Sequence, residues 1–121
     1  MHETEKISEL HNQYISITKQ SLKSWRKFSR KANNKFAKQS SILASNLDEL
    51  IKSSSSDFDS VPIKYAELLT RASVDLSHLL EVMAQKSSNS VINEAYTRFH
   101  ESDESRSYYG ETLNNYIDRI S

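Results

Sequence analysis

The sequence predicts an all-α fold, and three observations lead to this prediction. Apolar residues recur at the spacing of an amphipathic helix over most of the 121 residues. The chain contains one glycine and one proline, far fewer than the hairpins and bulges of a sheet-rich domain use. The segments that interrupt the periodicity are rich in serine, which favours helix caps and turns. We therefore expect a single helical domain, or a fragment of one, in which a long N-terminal helix packs with one or two shorter antiparallel helices in a coiled-coil or three-helix-bundle-like arrangement.

The first predicted helix spans about residues 4–52, a stretch without glycine or proline. Its apolar side chains keep one phase over about ten turns when the residues are projected at 100° each. A single helix of this extent would be on the order of 70 Å long, too long to pack inside a compact domain of this size. The apolar positions are Tyr14, Trp25, Ala32, Phe36, Leu43, Leu47 and Leu50, with Phe28 at the edge of the arc.

The second predicted helix spans about residues 61–86 and follows a serine-rich loop at 53–60. Ser60 is a suitable N-cap, because a serine hydroxyl can accept from the free backbone N–H groups of the first turn. Pro62 fits that first turn, since the N–H that proline lacks would have no helical partner there. The stripe of this helix is aliphatic and dense, which is typical of the best-buried helix of a bundle.

The third helical segment is predicted over 90–121, after a weak break at 87–90. Residues 100–108 are almost all polar, so we expect a bend near this point. Gly110 lowers the helical preference by about 1 kcal/mol relative to alanine. Helical spacing of apolar residues resumes beyond it and continues to the end of the chain.

The charges are segregated along the chain, although the formal net charge is zero. Of the 16 basic and 16 acidic residues, eight basic and no acidic residues lie within 10–47, so this stretch carries +8 and the remainder −8. On a continuous helix these side chains lie roughly opposite the apolar stripe. We call them the basic segment; its members are Lys19, Lys23, Arg26, Lys27, Arg30, Lys31, Lys35 and Lys38.

Several interpretations of the basic segment stay open. It can be a solvated face whose lysine stems cover apolar surface, a face for anionic lipid, a site for an acidic protein partner, or a face that docks on the chain's own acidic remainder. Nucleic acid is a less favoured partner, because the aromatic residues alternate with the apolar stripe and are not placed as base-stacking platforms on the basic face.

Catalytic and metal-binding patterns are not found in the sequence. None of the four histidines has another histidine four residues later, as a zinc-binding helix face would require. The paired carboxylates fall near helix ends and in a polar loop, where solvated charge is normal. There is no cysteine, which excludes disulfides, thiolate metal sites and a cysteine nucleophile. We therefore predict a protein that is not an enzyme and that uses no metal or cofactor.

The apolar stripe of the first helix is longer than the interrupted later helices can cover. An exposed apolar stripe of that size usually marks an interface, so we expect a homo-oligomer or a helical protein partner. No apolar run approaches the roughly 18 residues of a membrane span, and residues 1–10 do not resemble a signal peptide, so we expect a cytoplasmic protein, at most peripheral on a membrane. The predicted partner interface consists of Tyr14, Trp25, Phe28, Phe36, Leu43 and Leu47.

Four short segments share residue types with one known family. They are 25–28 (WRKF), 34–40 (NKFAKQS), 43–47 (LASNL) and 63–69 (IKYAELL). Their order resembles the BAR-type membrane-curving domains of sorting nexins, over about residues 20–85. The resemblance implies antiparallel dimers of long three-helix bundles whose basic concave surface lies on anionic lipid.

The function expected from these observations is a non-enzymatic helical scaffold or interaction module. It would self-associate and bind an anionic membrane surface through the basic segment, in the manner that the resemblance implies. The alternative is a protein–protein assembly subunit with no role at a membrane. A granule-coating phasin would have a similar pattern of residues and is less favoured, as is an enzyme.

Overall fold

A computed structural model describes residues 2–27, 29–54 and 60–120 of the chain. In these ranges it contains no strand and has four α-helices: α1 (His2–Lys27), α2 (Arg30–Ser53), α3 (Val61–Ala84) and α4 (Asn89–Ile120). The predicted all-α class is therefore confirmed. The long helix with one or two shorter ones is corrected to four helices of 24 to 32 residues.

The helices pack as a bundle with α3 at its centre. α3 packs closely on both α2 and α4, and α1 lies against α2 and α3. α2 and α3 run antiparallel, because contacts made further along α3 reach residues earlier in α2. The Ser40 hydroxyl donates to the Ser73 carbonyl, for example, and the Ser77 hydroxyl donates to the Ala37 carbonyl. These small buried side chains let α2 and α3 approach closely while their hydroxyl groups stay hydrogen-bonded.

The predicted helix over 4–52 is divided in the structure, since α1 ends at Lys27 and α2 begins at Arg30. Ser29 is the N-cap of α2: its backbone is extended, and its hydroxyl accepts from the Ala32 N–H at 3.3 Å. This hydrogen bond satisfies one of the free donors at the start of a helix. The two halves of the apolar stripe therefore fold against each other and against α3.

The core is formed by the inward faces of all four helices. Its most deeply buried large side chains include two tyrosines, Tyr14 and Tyr65, which find polar partners described below. α3 begins with Ser60 as N-cap and Pro62 in the first turn. The aliphatic stripe of α3 supplies much of the core, through Leu69, Leu76, Leu79 and Leu80.

α4 runs as one continuous helix through 100–108, the stretch where the sequence predicted a bend. Its polar residues there are not all solvent-facing, since Ser102 and Arg106 are buried against the other helices. Both continue the helical phase of Phe99 and Leu113, which are also buried. Gly110 lies within the same helix, where a Cβ atom would stand 3.5 Å from the Tyr65 ring.

Candidate functional site

The basic segment is folded into a hairpin by the break between α1 and α2. Along the outer groove of these two helices, Ile17 and Gln20 of α1 face Gln39 and Ile42 of α2. The helices are therefore antiparallel, and the residues on both sides of Ser29 lie at one end of the bundle. We call residues 19–38 the basic hairpin.

The basic side chains of this hairpin that the structure describes point into solvent. Arg26 and Lys27 lie in α1, but their side chains are outside the described part of the structure. Within the described residues, the ion pairs of the molecule join other groups, such as Lys6 with Glu9 and Lys52 with Asp48. The positive charge of the hairpin is thus not neutralised by described acidic residues of the same chain. The exposed members are Lys19, Lys23, Arg30, Lys31, Lys35 and Lys38.

The opposite end of the bundle carries acidic residues. It is formed by the start of α1, the end of α2, the start of α3 and the end of α4. Because the basic segment lies at the other end, the segregation seen along the sequence becomes a partial separation of charge along the long axis of the bundle, although lysines such as Lys6, Lys52 and Lys64 lie near the acidic end. Exposed acidic side chains at this end include Glu5, Glu9, Asp48, Glu49 and Glu111.

The described residues of the predicted partner interface pack against helices of the same chain. Phe36 is buried, and Trp25 is half-buried between Tyr96 and Phe99 of α4. Phe28 lies outside the described residues. The physical reason is the break at Ser29. Because α1 and α2 fold against each other there, the apolar stripe is divided into two halves, and the other helices need to cover only half of its length. The remaining members, Tyr14, Leu43 and Leu47, are buried in the core.

The seam between α1 and α4 has an apolar end beside the basic hairpin, which the sequence did not predict. Leu22 is 44% exposed and Tyr96 is 47% exposed. The Tyr96 ring meets the edge of Trp25 at 6.1 Å between centroids, and His100 stacks on its other side at 6.0 Å. We call Leu22, Trp25 and Tyr96 the seam patch.

Near the middle of α1 and α4, the same seam contains a polar cluster that joins three helices. The Tyr14 hydroxyl donates to Asp103 at 2.7 Å, and Arg106 donates from Nε to Asp103 and from Nη1 to the Tyr65 hydroxyl, both at 3.0 Å. The Arg106 guanidinium also lies 5.0 Å from the centre of the Tyr14 ring. His11 Nδ1 is 2.5 Å from the Tyr65 hydroxyl. A cleft of about 680 Å³ lies beside the cluster, between α1 and α4.

The charges and hydrogen bonds of this cluster serve a structural role, because they hold the helices together. Burial would lower the pKa of Arg106, but its hydrogen bond to Tyr65 and its proximity to Asp103 raise that pKa, so the guanidinium stays charged. Burial, then the hydrogen bond to Asp103, raises the pKa of Tyr14 above its ordinary value. Burial and the nearby Arg106 charge lower the pKa of His11. In the sequence, the only sign of this cluster is the run of polar residues at 100–108.

Function has to be assigned from this surface chemistry, because comparison identifies no relative. No protein-family model, curated protein or solved structure matches the chain. Among the residues that the structure describes, no group of three or more histidine or acidic side chains could hold a metal ion. None of the described helices combines the length and the apolar character needed to cross a membrane.

Proposed function

We propose that this protein is a non-enzymatic helical interaction module that binds an anionic membrane surface through the basic hairpin. One observation carries the proposal: six described basic side chains are exposed at one end of the bundle and make no ion pair with described acidic residues. A basic residue near an anionic membrane contributes about 1 kcal/mol of binding free energy, so a cluster of six contributes several kcal/mol.

The rigidity of the hairpin supports this function. α1 and α2 are both packed on α3, so the basic side chains are held by a folded scaffold and need not be ordered on binding. The BAR-like resemblance implies the same kind of ligand, an anionic lipid surface. It implies long three-helix bundles, however, whereas the described residues here form four shorter helices.

A second candidate function is a protein–protein assembly subunit, and the separation of charge along the bundle favours it. The acidic end of one copy is complementary to the basic hairpin of another, so copies could associate head to tail as a homo-oligomer. Complementary potentials of this kind guide association and fix its orientation. The two functions place different ligands on the same hairpin, and lipid binding separates them.

Co-sedimentation with vesicles tests the proposal. The wild-type protein should sediment with vesicles that contain phosphatidylserine and remain in solution with phosphatidylcholine vesicles. The triple variant K23E/K31E/K38E should bind the anionic vesicles at least about a hundredfold more weakly, at about 1 kcal/mol per basic residue. Its fold should persist, because exposed substitutions usually change stability by no more than about 0.5 kcal/mol each.

The variant K6E/K52E/K64E is the matched control. It makes the same change in net charge with three exposed lysines near the acidic end of the bundle. It should bind anionic vesicles nearly as well as the wild type. Equal loss of binding in both triple variants would mean that net charge, and not the basic hairpin, controls binding. If the wild-type protein does not sediment with anionic vesicles, the proposed function is contradicted.

A further inference from the structure

We propose that the seam patch enters the interfacial layer of the bilayer when the basic hairpin binds anionic lipid. This inference rests on the proposed function and adds to it a defined apolar contact and an orientation. The ligand is the headgroup and upper acyl-chain region of an anionic phospholipid bilayer. Leu22 and Tyr96 are the exposed residues that would contact it, and Trp25 packs directly beneath Tyr96.

The first step is that the seam patch is apolar and accessible. Leu22 and Tyr96 each leave almost half of their surface in solvent, and Leu22 lies one helical turn before Trp25, which contacts Tyr96. Tyr96 has the half-buried Trp25 beneath it, and Ile92 packs one turn earlier on α4. Large apolar side chains in this position gain free energy from any apolar partner.

The second step is that the seam patch and the basic charge lie at the same end of the bundle. Leu22 is followed directly by Lys23 and preceded one turn earlier by Lys19, and both lysines are exposed. Apolar side chains flanked by lysines are typical of helices that lie in a membrane interface.

The third step concerns the aromatic pair. Tryptophan and tyrosine are enriched where a protein meets the headgroup layer, because their rings are apolar and their polar atoms can bond to headgroups. The Trp25 Nε1 atom is buried and has no hydrogen-bond acceptor among the described residues. A buried donor left unpaired costs free energy, so a rearrangement of the seam at the headgroup layer that opens Nε1 to an acceptor would be favoured.

The orientation follows from these placements. With the basic hairpin and the seam patch at the membrane, the acidic end of the bundle points away from the anionic surface. Exposed carboxylates such as Glu5, Asp48 and Glu111 are thereby kept at a distance from like charge. Side-on binding along the whole length of α1 would instead bring Glu5 and Glu9 against the lipid.

Fluorescence of Trp25 tests the insertion directly, because it is the only tryptophan in the chain. Anionic vesicles containing phospholipid brominated on the upper acyl chain should quench its emission, whereas the same vesicles without bromine should not. Quenching would support insertion of the seam patch. Binding to anionic vesicles without quenching would overturn the inference and leave the proposed function intact. No binding to anionic vesicles would contradict both, and the sedimentation assay identifies that case independently.

A pair of double variants tests the contribution of the side chains. L22S/Y96S should weaken binding to anionic vesicles roughly tenfold, through the loss of apolar contact with lipid. The control I42S/V74S removes two apolar side chains that are 54% and 50% exposed but lie outside the seam, and it should bind as the wild type does. Helical circular dichroism and melting of each variant establish that it is folded. Wild-type affinity in a folded L22S/Y96S variant would overturn the inference.

Discussion

Arg106 shows how a charged residue is accommodated inside this bundle. It is 7% exposed, and a buried charge is tolerated only when it is paired and hydrogen-bonded. Asp103 supplies the counter-charge, the Tyr65 hydroxyl accepts a second hydrogen bond, and the face of the Tyr14 ring covers the guanidinium. The cluster therefore links α1, α3 and α4 through one cation, and its loss would leave Asp103 with the Tyr14 hydroxyl but without its counter-charge.

His11 makes the stability of this cluster sensitive to pH. Its pKa is below the ordinary value of 6.5 because of burial and of the Arg106 charge; Tyr65 contacts its ring, and Glu111 lines the same cleft. A lowered pKa means that the unfolded chain binds the proton more readily, so stability is complete above pH 6.5 and falls as the pH drops below it.

His11→Asn should therefore reduce the acid sensitivity of the fold. Asparagine keeps a polar atom near the position of Nδ1 but does not titrate in this range. Urea unfolding at a series of pH values from about 7 to about 5.5 should show a shallower decline in the free energy of unfolding for His11→Asn than for the wild type. The control is His78→Asn at an exposed position of α3. Identical declines in His11→Asn and wild type would show that His11 has no part in the pH dependence.

At the level of helices, the sequence predicts helical structure well but places one boundary wrongly and misinterprets one polar stretch. The break at Ser29 is hidden because Trp25, Ala32 and Phe36 keep one helical phase across it. The stretch at 100–108 is polar and suggests a bend, but its polar groups have partners that are distant in sequence. Asp103 reaches Tyr14, and Ser102 donates to Asp75. Periodicity contains no information about such partners.

The same limits apply to the candidate site. The basic segment is visible in the sequence as a run of charge, so its members could be predicted. The arrangement of these side chains in space could not be predicted. A continuous helix would distribute the charges along its whole length, whereas the hairpin places them at one end of the bundle. The seam patch also depends on the break, because Trp25 meets Tyr96 only when α1 packs beside α4.

The N-cap of α2 can be tested by Ser29→Ala. The substitution removes the acceptor for the Ala32 N–H and should lower the free energy of unfolding by about 1 kcal/mol. Ser41→Ala is the control, because Ser41 is exposed within α2 and alanine there slightly favours helix. Urea denaturation of both variants measures the difference. If Ser29→Ala is as stable as Ser41→Ala, the cap does not contribute to the boundary between α1 and α2.

For the whole molecule, the separation of charge replaces the bare apolar stripe as the reason to expect self-association. Within the described residues, the stripe packs largely against the chain's own helices, with Phe36 buried and Trp25 half-buried. The basic hairpin and the acidic end remain complementary between copies. Exposed ion pairs contribute little individually, about 0–1 kcal/mol each, and are screened over about 8 Å at physiological ionic strength.

Self-association in the absence of lipid should therefore depend steeply on salt. Sedimentation equilibrium should give a mass that rises with protein concentration at about 0.01 M salt, where the screening length is about 30 Å, and a monomer at about 0.15 M. K23E/K31E/K38E should remain monomeric at both salt concentrations. Mixing it with D48K/E49K/E111K should restore association at low salt, since each variant then offers the charge that the other lacks.

Oligomers of the wild type that persist at about 0.15 M salt but dissociate in K23E/K31E/K38E would favour the assembly subunit over the membrane module. Oligomers unaffected by salt and by these substitutions would point to an apolar interface and contradict the charge-based association.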